Sequence, residues 1–194
     1  MKSKSLQIFV ASSLVLLSSC GLLGASEKES FESLLVLVES SESILESEKL
    51  NFAPAQAEFL ECLNSGSGAS WTCESERGVL ESVFDQTLVR FGFQREIAEL
   101  NALRLSDNDD ASLARDAFVK HLRAWRQYIS DYRYSLPTST QLYANDLSFF
   151  DVWLDIYENN EISKTFDQLC SGLGNAQPSD VEDFTARIVD ICDE

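Results

Sequence analysis

The sequence predicts an all-α fold: a single, bundle-like domain of about six or seven amphipathic helices, stapled by two local disulfides. Three observations predict it. Apolar residues recur at three- and four-residue intervals along most of the chain, and no window sustains the two-residue alternation of a half-buried strand. Turn and breaker residues, such as the run 64–70 and Pro137, separate these periodic stretches. Finally, the 194 residues contain no internal repeat or low-complexity tract, which is the length of one ordinary domain with a core of its own.

The chain opens on Lys2 and Lys4, followed by the apolar run 6–17 and then Leu17-Ser-Ser-Cys20-Gly21. A run this short falls below the roughly 20 apolar residues of a membrane span, and its basic flank marks a secretory signal. Leu17-Ser-Ser-Cys20 resembles a bacterial lipobox. That resemblance implies cleavage before Cys20 and acylation of its sulfur, so that residues 1–19 are a signal peptide, 20–25 a lipidated tether and 26–194 the helical domain. An ordinary signal peptide cut elsewhere is the alternative, with Cys20 incidental. Position 21 is glycine rather than the aspartate that retains diderm lipoproteins at the inner membrane. By that resemblance the expected location is the cell envelope, and in a diderm bacterium the outer membrane, facing the periplasm.

From Ser26, a suitable cap, a first helix is expected to about residue 49, burying Phe31, Leu34, Leu35, Val38 and Leu45. Its other face is Glu and Ser, with seven acidic residues between Glu27 and Glu48. Pro54 suits the first turn of a second, short helix over 55–63, and 64–70 reads as a flexible loop. A long helix over 72–104 places Leu80, Val83, Phe84, Leu88, Phe91, Ile97, Leu100 and Leu103 inward. Gly92 interrupts it and marks close packing or a slight bend.

A polar break at 106–110 leads into a helix over 110–135. There Leu113, Ala117, His121, Ala124 or Trp125, Tyr128 and Tyr132 are expected along the buried side. Asp107-Asn-Asp109 lacks the downstream glycine and glutamate of a calcium loop. Pro137 stops this helix, Thr138 or Ser139 can cap the next, and 142–157 carries the aromatic stripe Tyr143, Phe149, Phe150, Trp153 and Tyr157, which reads as core. Helices are then expected near 162–171, stopped by Gly172 and Gly174, and from the capping box Ser179-Asp-Val-Glu182 onward, burying Phe184, Ile188 and Ile191.

With Cys20 assigned to the anchor, four cysteines remain: Cys62, Cys73, Cys170 and Cys192. An even count outside the cytoplasm reads as two disulfides, and four cysteines allow three pairings. Local pairing, 62 with 73 and 170 with 192, is the simplest, since each pair brackets one turn between helices. A zinc site lacks the C-x-x-C pair it would need, and the one histidine, His121, is remote in sequence.

Formal net charge is −17, and loss of residues 1–19 removes two lysines and no acid, leaving 13 Lys+Arg against 32 Asp+Glu, or −19. That excess argues against a nucleic-acid backbone as partner and favours solubility, repulsion from anionic surfaces, or a cationic protein partner. Against this background the segment 115–134 holds five basic and two acidic residues. Internal pairing with the acidic helices is the expectation there, and a binding patch built on Arg123, Trp125, Arg126 and Tyr128 is the alternative.

No glycine-rich phosphate loop, G-x-S-x-G, H-E-x-x-H or HxH pair occurs, so no catalytic, metal or cofactor residue is assigned. His121 is the one candidate imidazole base. Paired carboxylates are too plentiful for a glycosidase pair to be picked.

Cys62 and Cys73, then Asp85-x-x-Leu88, then Ala124-Trp125-x-x-Tyr128 resemble the LprI-type lysozyme-inhibitor family over about residues 62–134. Val89 stands where that family has asparagine, Ile129 where it has arginine, and Tyr134 near its next cysteine. The resemblance implies an exported, helical, cysteine-stapled protein whose partner is lysozyme. The expected function is thus a lipid-anchored envelope protein acting by binding a protein partner, possessing no cofactor, with a carboxylate-based hydrolase or a purely structural lipoprotein as alternatives.

Overall fold

A computed structural model describes residues 27–65, 70–105, 109–176 and 182–193. The signal segment, Cys20 and the tether lie outside them, as do most of the loop 64–70 and the start of the last capping box. Among the described residues the chain forms eight α-helices and one 3-10 turn and no strand: α1 Glu27–Asn64, the turn Ser70–Cys73, α2 Glu74–Arg90, α3 Gln94–Ala102, α4 Asp109–Tyr134, α5 Ser139–Tyr143, α6 Phe149–Glu158, α7 Ile162–Ala176 and α8 Glu182–Cys192.

The expected apolar face of α1 is the buried one: Phe31, Leu34, Leu35, Val38 and Leu45 are all inside. The two helices expected around Pro54 are, however, one, with Pro54 inside it. A proline in a helix interior removes one hydrogen bond and costs about 3 kcal/mol or more. Here Pro54 sits on the exposed side while Phe52, Ala55 and Phe59 are buried around it, so apolar burial on both sides of the proline holds the helix through the defect.

α2 returns alongside α1. Phe52 meets Phe84 with ring centroids 6.2 Å apart, and the Cys62–Cys73 disulfide closes the turn at a Cα separation of 5.8 Å. Glu48, buried on α1, accepts from the Thr87 hydroxyl at 3.2 Å and pairs with Arg90 at 3.0 Å. An uncompensated carboxylate would be far costlier to bury than this partnered one.

The long helix expected over 72–104 is broken at residues 91–93. The chain turns at Phe91 and Gly92, and Phe93 adopts a left-handed conformation, φ 42°, at the start of α3. Left-handed backbone costs a side-chain-bearing residue about 1–2 kcal/mol. Burial of both Phe91 and Phe93, whose rings stack at 5.3 Å, offsets it.

α4 is the central helix. Ala111, Ala114, Ala117, Phe118, His121, Leu122, Ile129 and Tyr132 are buried on it. Leu113, expected inside, is 62% exposed. Four-residue steps over-rotate by about 40° each, so a ladder drawn back from Tyr132 through 128, 125, 121 and 117 has drifted to the outer face by position 113.

α7 packs on α4 across small residues. It does not stop at Gly172 and Gly174 as expected but continues to Ala176. Gly172 is buried against α4, where an added Cβ would fall 2.9 Å from both Cα and Cβ of Ala114. That glycine is there for close approach of two helices and not for a turn.

The single helix expected over 142–157 is two. Thr138 caps α5 in a full capping box with Gln141, and a turn through Asn145, φ 54°, leads to α6. The aromatic stripe divides accordingly. Phe149 and Trp153 are core, whereas Tyr143 and Tyr157 are 69% and 65% exposed. α8 closes the domain through Cys170–Cys192, the Phe31–Phe184 ring contact at 5.4 Å and the Arg187–Glu39 pair. Both disulfides are thus the local ones, and the described residues form one domain around one core.

Candidate functional site

His121, the only imidazole, is placed by α4 between α1 and α7 and is 2% exposed. Its Nε2 lies 3.1 Å from the indole nitrogen of Trp125, which can only donate. Nε2 therefore accepts, and Nδ1 carries the proton, donating to the Ile162 carbonyl at 3.2 Å and the Thr165 hydroxyl at 3.1 Å. Thr165 is free to accept because it donates in turn to the carbonyls of Glu161 and Ile162.

Burial depresses His121 from its ordinary value to about 4, the Ile162 hydrogen bond partly opposing this and Lys49 reinforcing it. Glu42 of α1 lies 3.5 Å from Nε2. The neutral ring, with its Nε2 lone pair already given to Trp125, makes no ion pair with it. Lys49 pairs with Glu46 and sits 4.8 Å above the Trp125 ring. Both ring nitrogens are committed and the ring is buried, so His121 is a polar lock joining three helices.

The lock makes stability depend on pH. The folded value lies below the unfolded one of about 6.5, so the unfolded chain binds the extra proton between them. The contribution is complete above pH 6.5 and is lost as pH falls toward 4. Relative to His121→Gln, the wild type is expected to lose about 2 kcal/mol more stability between pH 7 and pH 5. Urea titrations of both proteins at the two pH values check this, and parallel losses would contradict it.

The four candidate partner-binding residues do not share a surface. Arg123 and Arg126 are exposed. Trp125 is about 200° around the helix from Arg123 and Tyr128 about 200° from Arg126, and the two are half-buried in an aromatic ladder. Trp125 meets Tyr128 at 5.8 Å, Tyr128 meets Tyr132 at 4.8 Å, and Tyr132 meets Trp153 at 5.2 Å. Burial and the Tyr132 hydroxyl push the Tyr128 phenol well above its usual range.

Internal pairing accounts for part of the basic segment. Arg133 forks onto Asp85 at 2.7 and 3.2 Å and reaches Glu81 at 2.8 Å, tying α4 to α2. Arg77 binds the other Glu81 oxygen at 3.1 Å. These two carboxylates line a shallow groove with Gly78 and Ser82, and both are engaged by guanidiniums. Among the described residues, no cluster of three or more His, Cys, Asp or Glu could hold a metal ion, and no helix is long and apolar enough to cross a membrane.

One surface escaped the sequence reading. On α6, Asp151, Leu154, Asp155 and Glu158 share an outward face, with Val152 and Tyr157 on its flanks. Leu154 is 56% exposed. The legible signal was the spacing 151, 155, 158, which puts three carboxylates on one side of a short helix. Phe149 and Trp153, buried beneath, hold that helix against Phe59 of α1 at 6.1 and 6.2 Å. A rigid mount thus presents apolar and acidic groups together. The chain matches no protein-family model, no curated protein and no solved structure.

Proposed function

We propose that this chain is an exported, lipid-anchored envelope protein that acts by binding a cationic protein partner, with the outer face of α6 as the contact. The observation that carries the reading is that face: three carboxylates interleaved with exposed Val152, Leu154 and Tyr157, on a chain of net charge −17. Apolar side chains within a charged surround are the make-up of a protein interface, and the negative field would speed the approach of a cation. The lipobox-like Leu17-Ser-Ser-Cys20 supports the anchor, and the two disulfides support a compartment outside the cytoplasm.

Lysozyme, the partner implied by the resemblance over residues 62–134, is the probe of choice. Titration calorimetry against it is expected to show binding at low salt that weakens at moderate salt. Absence of heat at low salt, where attraction is greatest, contradicts the proposal.

A further inference from the structure

Trp71, in the 3-10 turn Ser70–Cys73, and Tyr143, the last residue of α5, stack with ring centroids 6.1 Å apart and planes 1° from parallel. They are 49% and 69% exposed. Among the described residues every other ring pair includes a buried or half-buried ring, so this pair contributes little to the core.

The rings are held outside by what flanks them. Cys73, two residues from Trp71, is buried and bonded to Cys62, and Leu142, beside Tyr143, is buried. Thr138 and Gln141 cap α5, and the Ser139 hydroxyl donates to Glu74 at 2.8 Å, joining the two segments one turn from the rings. Inward positions are thus taken by other residues, and the two ring faces are fixed before any ligand arrives. Such preorganised Trp and Tyr side chains lose little freedom on binding.

Charge selects what they can bind. The stretches that surround the rings, 50–76 and 134–163, contain no Lys, Arg or His, against four acids in the first and five in the second. The Cys62–Cys73 bond and the contacts of Phe59 with Phe149 and Trp153 bring the two stretches together. The cations that bound them in sequence are engaged: Arg77 by Glu74 at 2.9 Å and Glu81 at 3.1 Å, Arg133 by Asp85 and Glu81, and Lys164 by Glu161. Aromatic faces are themselves electron-rich, and indole is the best of them for a cation. Lys49 over Trp125 at 4.8 Å is the same contact made internally.

We propose that Trp71 and Tyr143 are the seat for an arginine side chain of a cationic protein, the guanidinium lying against the ring faces. The occupant rests on the reading of a cationic partner above and gives that partner a second contact. Five exposed residues, 144–148, lead from Tyr143 to the start of α6. Arginine fits better than lysine because its group is planar, weakly hydrated and stacks on aromatic faces.

Each ring is expected to change affinity on the order of two- to fivefold, and the pair on the order of tenfold. An octa-arginine peptide, titrated at low salt into the full-length protein with its tryptophans labelled with nitrogen-15, tests this. The Trp71 indole signal, identified by its loss in W71L, should move while those of Trp125 and Trp153 stay. W71L/Y143L should bind on the order of tenfold more weakly by calorimetry. Y143F, which keeps the ring, should bind as the wild type does, and Y143L, changed at a solvent-facing side chain, on the order of threefold more weakly. The last comparison reads the seat even if W71L disturbs its turn.

Equal binding by wild type, Y143L and W71L/Y143L, or a Trp71 signal that does not move, overturns the proposal. So does a Trp71 signal that answers to a neutral chito-oligosaccharide and not to the peptide, which would make the pair a saccharide platform. Lysozyme separates the seat from the reading it rests on. Lysozyme binding that weakens in D151N/D155N/E158Q but not in W71L/Y143L overturns the seat alone. Ring-dependent binding of octa-arginine without binding of lysozyme supports the seat and contradicts lysozyme as the partner.

Discussion

Phe59→Ala is expected to destabilise the domain by about 3–5 kcal/mol, the cost of removing a fully buried phenylalanine. Phe59 has no exposed surface and meets both Phe149 and Trp153, the two buried residues of α6. The neighbouring rings belong to a helix of ten residues, held also by Tyr132 of α4 against Trp153, so the vacated space is expected to loosen α6 as well. Guanidinium unfolding followed by near-ultraviolet circular dichroism reads both effects. The Trp153 signal should weaken under native conditions, and Phe59→Leu should restore most of the stability. A cost below about 1 kcal/mol would mean that α6 is not seated on this ring.

Gly172→Ala and Gly174→Ala are expected to act in opposite directions although they lie two residues apart in one helix. Alanine is favoured over glycine in a helix interior by about 1 kcal/mol. At Gly174 nothing lies within 4 Å of the added Cβ, so that gain should appear nearly whole, about 0.5–1 kcal/mol. At Gly172 the Cβ would meet Ala114 at 2.9 Å, and the obstacle includes Cα and backbone nitrogen of α4, which cannot rotate aside. Overpacking of this kind costs about 1–3 kcal/mol, which exceeds the propensity gain. Thermal unfolding should therefore place Gly172→Ala below the wild type by a few degrees and Gly174→Ala slightly above it. Stabilisation by Gly172→Ala would show that α4 and α7 are not in backbone contact there.

The fold class and both disulfides were legible because they depend on local pattern. The three-and-four spacing of Phe31, Leu34, Leu35 and Val38 specifies a buried face without knowledge of what covers it, and each cysteine pair brackets one turn. Element boundaries were legible only where the local signal was also the deciding force. Pro54, read as a helix start, lies within α1 because apolar burial on both sides outweighs one lost hydrogen bond. Gly172 reads as a stop in isolation, since nothing in its neighbours announces that Ala114 will come within contact distance. Phe93 shows the converse, a bulky residue in left-handed backbone because two buried rings favour the turn.

The candidate site was legible in composition but not in place. Arg123 and Trp125 are two apart in sequence, which on a helix puts them on opposing sides. A binding set chosen by proximity along the chain therefore mixed exposed cations with the aromatic interior. Which cations of α4 are neutralised depends on which acids fold beside them, and Arg133 finds two, on α2. The α6 face was hidden for a similar reason. Its stripe of aromatic residues looked like core, and only the packing of Phe149 and Trp153 against Phe59 decides which side remains outside.

Titration calorimetry of the protein with lysozyme at low salt, comparing wild type with D151N/D155N/E158Q, tests the central claim most directly. Binding by the wild type, weakened on the order of tenfold or more when the three α6 carboxylates are neutralised and unaffected by R123Q/R126Q, is the predicted result. Absence of binding at low salt, or binding indifferent to the α6 substitutions, would contradict it.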